Sequence, residues 1–111
     1  MIHLPSKWLS SIAFYDPKRK IILDFGSSRA CGCNHNKISI HAEQNAITDC
    51  AKRGVSCDGS DAYITHYPCV NCMKLLCASG IKNIYYINDY RNDDIVNYFL
   101  NQSTMEKIEK I

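Results

Sequence analysis

Apolar and polar positions alternate along this chain in blocks that change period. Trp8 to Tyr15 and Lys20 to Phe25 are short apolar runs separated by Asp16-Pro17-Lys18-Arg19, the turn chemistry of a hairpin of two antiparallel strands. Gly26 to Lys37 has neither helical nor strand periodicity and reads as loop. From His41 to Arg53 the positions Ala42, Ala46, Ile47, Cys50 and Ala51 recur at helical spacing. Lys52 and Arg53 sit in the last turn and Gly54 follows as the C′ residue, so the segment predicts a helix. Asp61 to Thr65 predicts a short strand. Pro68 opens a second helix that runs to about Ser79 and stops at Gly80. Lys82 to Ile87 predicts a buried strand, and Asp93 and Asp94 suit the start of a third helix whose apolar face is Ile95, Val96, Phe99 and Leu100.

The tail, Ser103 to Ile111, is open to two readings. Met105, Ile108 and Ile111 recur at helical intervals after a Ser103-x-x-Glu106 capping box, yet an edge strand fits equally. A hairpin followed by alternating strands and helices predicts an α/β domain with a mixed sheet whose later strands are parallel neighbours.

The chain has 111 residues, 46% of them hydrophobic and 22% charged, enough for one small domain over residues 1–111. A net charge of +2, with the basic residues scattered, argues against a nucleic-acid partner without excluding one. No run reaches the length of a membrane span and no secretory h-region is present, so a soluble, cytoplasmic protein is expected. Seven cysteines, an odd count, and a Cys-x-x-Cys pair favour reduced thiols and metal ligation over disulfides.

Cys69 and Cys72 at i and i+3 share one face at a helix start, where both sulfurs reach one ion. His41 opens the other confident helix. Three protein ligands leave a fourth zinc position for water, the arrangement of a catalytic Zn2+ site. Glu43 lies in the same first turn as His41, placed to carry a proton without being a ligand. His41-Ala42-Glu43 followed by Pro68-Cys69-Val70-Asn71-Cys72 matches the signature of zinc deaminases. Alone, the Cys pair would be read as a redox motif, a structural zinc knuckle or two small buried side chains.

On these residues the sequence resembles the cytidine and deoxycytidylate deaminase superfamily. His41-Ala42-Glu43-Gln44-Asn45-Ala46-Ile47 is similar to the deoxycytidylate deaminase form of the first motif. Tyr63 to Cys69 and Ser79 to Tyr86 are similar to the bacterial and phage deoxycytidylate deaminases. The resemblance implies a cytidine-deaminase-like three-layer α/β/α fold with a mixed sheet beginning in an antiparallel hairpin. It also implies hydrolytic deamination of a cytosine nucleotide, dCMP to dUMP and ammonia, and a homo-oligomer is expected. Family members have a helix before the first hairpin. The family's nucleotide-contacting loop after the second strand is represented here by Gly26-Ser27-Ser28-Arg29, on a short connection closer to that of tRNA adenosine deaminases.

The candidate substrate contacts are therefore Ser28, Arg29, Asn45, Tyr67, Tyr90 and Arg91. A second, structural zinc on Cys31, Cys33 and His35 would need a fourth ligand from Cys57 or His3. The rival readings are a deaminase acting on RNA, a nucleoside or a free base, and a non-catalytic zinc-binding interaction module.

Overall fold

The hairpin is set by Asp16, whose carboxylate accepts the N–H groups of Lys18 (3.0 Å) and Arg19 (3.2 Å) while its carbonyl accepts that of Lys20. This closes β1 (Ser11–Asp16) onto β2 (Ile21–Ser27) in the computed structural model, which describes residues 10–27 and 40–111. The order continues with α1 (Ala42–Arg53), β3 (Asp61–His66), α2 (Val70–Ala78), β4 (Asn83–Asn88), a 3-10 turn (Asp94–Asn97), α3 (Tyr98–Gln102) and β5 (Lys107–Lys110).

The five strands form one mixed sheet in the order β2-β1-β3-β4-β5. β1 is antiparallel to β2 and β3, whereas β3, β4 and β5 run parallel, as the crossover helices require. The α/β fold with a mixed sheet opening in a hairpin is thus present. Because β1 opposes β3, the end of β2, the start of β1 and the carboxyl ends of β3 and β4 share one edge of the sheet. Both α1 and the preceding end of β2 meet there, as does the start of α2.

One apolar cluster joins Ile12, Phe14, Ala62, Ile64 and Ile84 of the strands to Ala42, Ala46 and Cys50 of α1, Met73 and Leu76 of α2, and Val96. The described helices therefore lie on one face of the sheet. The opposite face carries an aromatic row in which Tyr63 stacks on Tyr85 at 4.9 Å and meets Tyr15 edge-on.

Ala42, Ala46 and Cys50 form the buried stripe of α1, and their small side chains let the helix approach the sheet closely. Gly26 makes the closest approach possible: a Cβ there would lie 2.5 Å from the Ala42 carbonyl oxygen and 2.9 Å from the Ala46 Cβ. The start of α1 is thereby pressed against the end of β2. At the other end Gly54 adopts φ 70° and its N–H returns to the Cys50 and Ala51 carbonyls, a left-handed cap that only glycine adopts freely. Cys50 is a small core residue, and burial together with its bond to Asp24 pushes its thiol up to about 12.

Two boundaries differ from the periodicity. The third helix begins as a single 3-10 turn, with the Asp93 carboxylate accepting the Ile95 N–H, and only then becomes the short α3. The tail is the edge strand: Glu106 N–H donates to the Lys82 carbonyl and Ile111 N–H to that of Tyr86. Ser103 does not cap a new helix. Its hydroxyl donates to the Phe99 carbonyl and accepts the Met105 N–H, closing α3 instead. The unpaired edge of β4 outweighs a weak helical period, because each sheet bond satisfies a donor and an acceptor at once. No helix among the described residues is long and apolar enough to cross a membrane.

Candidate metal centre and its cavity

His41 is the N-cap of α1 in extended conformation, its N–H donating to the Gln44 side-chain oxygen (3.2 Å) and its carbonyl accepting the Asn45 N–H. Cys69 is the N-cap of α2, with Pro68 before it and its carbonyl accepting the Met73 N–H. Cys72 follows in the first turn. Both helix starts are therefore aimed at one point.

The His41 Nδ1 atom lies 3.0 Å from the Cys72 Sγ and 3.6 Å from the Cys69 Sγ, and all three donor atoms fall within 4.8 Å of one another. Tetrahedral zinc, with bonds of about 2.3 Å to sulfur and about 2.0 Å to nitrogen, sets such donors roughly 3.5–3.8 Å apart. The donor set fits zinc by spacing and by chemistry. Among the described residues it is the group that could hold a metal.

Glu43, only 6% exposed, lies beside these donors. Burial raises its carboxyl above the ordinary value, opposed by a hydrogen bond with Cys72. The Cys72 thiol is itself pushed far up, first by its bond to Cys69, then by burial and by the Glu43 charge. The buried Cys72 thiol and Glu43 carboxyl, with the Cys69 thiol beside them, do not all ionise unless a cation joins them, and a divalent ion supplies that charge.

His41 and Cys69 open onto a cavity of about 280 Å3, walled also by Gln44, Asn71, Tyr90 and Arg91. Tyr90 and Arg91 follow the carboxyl end of the parallel strand β4 and line this cavity. Gln44 and Asn71 are wall residues that the motif reading passed over, although both stand inside the two motifs. Asn45 faces a different cavity, shared with Ser27, and its amide donates to the Ser27 carbonyl at 2.8 Å. That bond ties the end of β2 to α1. Tyr67 belongs to the apolar core, 7% exposed and edge-on to Tyr86 at 5.0 Å.

Ser28, Arg29, Cys31, Cys33, His35 and His3 lie outside the described residues. Cys57, proposed as a possible fourth ligand to a second zinc, is buried before the start of β3, at the opposite end of that strand from Cys69, and its thiol donates to the Ser79 carbonyl.

Residues 18–88 match the cytidine and deoxycytidylate deaminase zinc-binding region. The chain belongs to this deaminase family. The ComE operon protein 2 of Bacillus subtilis is 42% identical over 78 residues, which cover 68% of this chain and 41% of that protein. The deoxycytidylate deaminase of Enterobacteria phage T2 is 44% identical over 55 residues, half of this chain and 29% of the phage enzyme. The chain thus spans less than half the length of these curated relatives. Among solved structures, a dCMP deaminase from cyanophage S-TIM5 in complex with dCMP and dUMP superposes with a TM-score of 0.73 at 32% identity, covering 93% of this chain and 80% of that one. The sheet order and helix placement described above are accordingly those of a cytidine-deaminase-like α/β fold, and Zn2+ is the cofactor that the family and the His-Cys-Cys donor set share.

Proposed function

We propose that this chain is a zinc-dependent hydrolytic deaminase acting on a cytosine nucleotide, with dCMP as substrate and dUMP and ammonia as products. The observation that carries the reading is the buried Glu43 carboxyl beside the His41, Cys69 and Cys72 donors. A structural zinc knuckle has no use for such a carboxyl, whose burial is unfavourable. Against the interaction-module reading, that feature weighs most.

His41, Cys69 and Cys72 would hold the zinc, which when bound lowers the pKa of a coordinated water from 15.7 to roughly 7. In the net reaction a C–O bond forms at C4 of the pyrimidine, the C–N bond to the exocyclic amine breaks, and ammonia leaves. Glu43 would take one proton from the attacking water and pass it to the ring nitrogen, where it stays in the product, and would then carry the second proton, from the new C4 hydroxyl, to the departing amine. The carboxyl is buried against the surrounding core and so shielded from bulk water.

The nucleotide substrate rests on the relatives: the phage T2 protein is named a deoxycytidylate deaminase, and the cyanophage enzyme is described bound to dCMP and dUMP. We further propose a cytoplasmic homo-oligomer whose partner is a small-molecule pyrimidine nucleotide. Ammonia release should be measured with dCMP, deoxycytidine, cytosine, guanine and tRNA in parallel. Turnover of dCMP above all others supports the reading, and turnover confined to tRNA or to a free base replaces its substrate.

A further inference from the structure

Asn45, Asn83, Asn88 and Asn92 each donate the side-chain NH2 to a protein oxygen, the Ser27 and Thr65 carbonyls or the Asp61 and Asp89 carboxylates. Gln44 is oriented the other way. Its Oε1 accepts the His41 N–H at 3.2 Å, as the third helical residue of the capping box that opens α1. Only the oxygen of an amide can meet a backbone N–H, so the Gln44 NH2 group is left for another acceptor. Among the described residues it donates to none.

The partly buried Gln44 side chain lines the cavity onto which His41 and Cys69 open. The capping bond holds the amide at one end, so the wall presents a donor in a fixed sense. A ligand that fills the cavity takes water from that donor, which is unfavourable unless the ligand supplies an acceptor in return. Asn71, the other amide of the wall, is exposed in the first turn of α2 and has no such constraint among the described residues, so it selects neither a donor nor an acceptor.

The chemistry of a cytosine nucleotide narrows the match. Its exocyclic amine is itself a donor, and its ring nitrogen N3 is the atom that Glu43 would protonate. The phosphate stands at the far end of the molecule from the reacting carbon, whereas Gln44 is bonded to the backbone of a metal donor and follows Glu43 in the chain. The remaining acceptors are the pyrimidine 2-carbonyl and the sugar oxygens.

We infer that Gln44 is a substrate-binding residue whose NH2 group donates to an acceptor oxygen on the nucleoside part of the substrate, the pyrimidine 2-carbonyl or a sugar oxygen. The inference rests on the proposed function for its substrate class, and binding can be measured apart from turnover. Calorimetry on the zinc-loaded protein should compare dUMP, deoxyuridine and uracil for wild type, Gln44→Glu and Gln44→Met. Gln44→Glu keeps an oxygen for the His41 N–H and replaces the donor by a second acceptor. Its zinc content and melting temperature should therefore match wild type, while dUMP and deoxyuridine weaken by the same factor, roughly ten- to hundredfold. Gln44→Met loses both ends of the amide, so it should melt lower and also weaken both ligands, without adding a charge. Uracil weakened in step places the contact on the 2-carbonyl, and uracil unchanged places it on the sugar.

Unchanged binding of deoxyuridine in Gln44→Glu overturns the inference, as does a loss confined to dUMP, which would come from repulsion between carboxylate and phosphate. Normal binding by Gln44→Met overturns it too, since the donor would then contribute nothing. Deamination of dCMP accompanied by any of these leaves the proposed function standing without it. Loss of deoxyuridine binding in both variants with no dCMP turnover by wild type has the opposite effect, upholding the Gln44 contact and removing the catalytic reading.

Discussion

His41 Nδ1 and Cys72 Sγ lie 3.0 Å apart although 31 positions separate them in the chain. That approach depends on two helices of unequal length starting at the same sheet edge, each with a metal donor as its N-cap. The cap position matters because its backbone is extended, which turns the side chain away from the helix axis and toward the convergence point.

If a cation holds these donors together, removing it should loosen both helix starts. Treatment with a strong zinc chelator is expected to lower the melting temperature by several degrees, and added zinc to restore it, since a ligand that binds only the folded state stabilises it by mass action. Cys72→Ser should abolish the chelator effect and reduce zinc content well below one ion per chain. Differential scanning fluorimetry with metal analysis reads both, and a melting temperature indifferent to chelator would contradict the fit.

The contact of Gly26 with α1 makes a second prediction. Gly26→Ala places a methyl group against the Ala42 carbonyl and the Ala46 side chain, and neither can move without shifting the helix. A loss of about 1–3 kcal/mol in urea unfolding is expected from such overpacking. Gly54→Ala, strained only by its φ of 70° with nothing near the added Cβ, should lose about 1 kcal/mol. The first variant should also weaken zinc retention because it displaces His41, and the second should not.

Arg53 gives a prediction in pH. Burial raises the Asp24 carboxyl, but hydrogen bonds from Asp49, Arg53 and the Phe25 N–H more than reverse this, so it titrates below its ordinary value of 3.8. A carboxyl depressed in the folded state contributes stability above its unfolded pKa and loses it as pH falls through the folded one. Arg53→Met should therefore melt lower than wild type at pH 7, with the gap narrowing below pH 3.8. The gap should be small, because Arg53 is half-exposed and its ion pair is screened by water and salt. A gap that widens in acid would show the assignment to be wrong.

The site was legible in the sequence because its information is local: His41 and Glu43 share a helical turn, Cys69 and Cys72 share another, and each helix has its own start signal. Their convergence was not implied by periodicity and came from motif order. The tail was illegible for the converse reason. Met105, Ile108 and Ile111 fit a helix by spacing, and only the unpaired edge of β4, supplied by residues far back in the chain, decides for a strand. Tyr67 illustrates a third case. Its place beside Pro68 suggested a wall of the substrate site, whereas its ring completes the core against Tyr86, a contact no spacing rule expresses. The same holds for Asn45, whose amide reaches back to β2. Gln44 and Asn71 stand inside the two motifs, and only the cavity shows them to be wall residues.

The most direct test of the account is the ammonia released from dCMP by Glu43→Gln protein whose zinc content has been measured. The substitution keeps the shape of the side chain and removes its ability to carry a proton. Zinc retained at the wild-type level with turnover reduced roughly 100- to 10,000-fold is the predicted result. Turnover within a few-fold of wild type, at full zinc occupancy, would contradict the role assigned to Glu43 and with it the reaction proposed for this site.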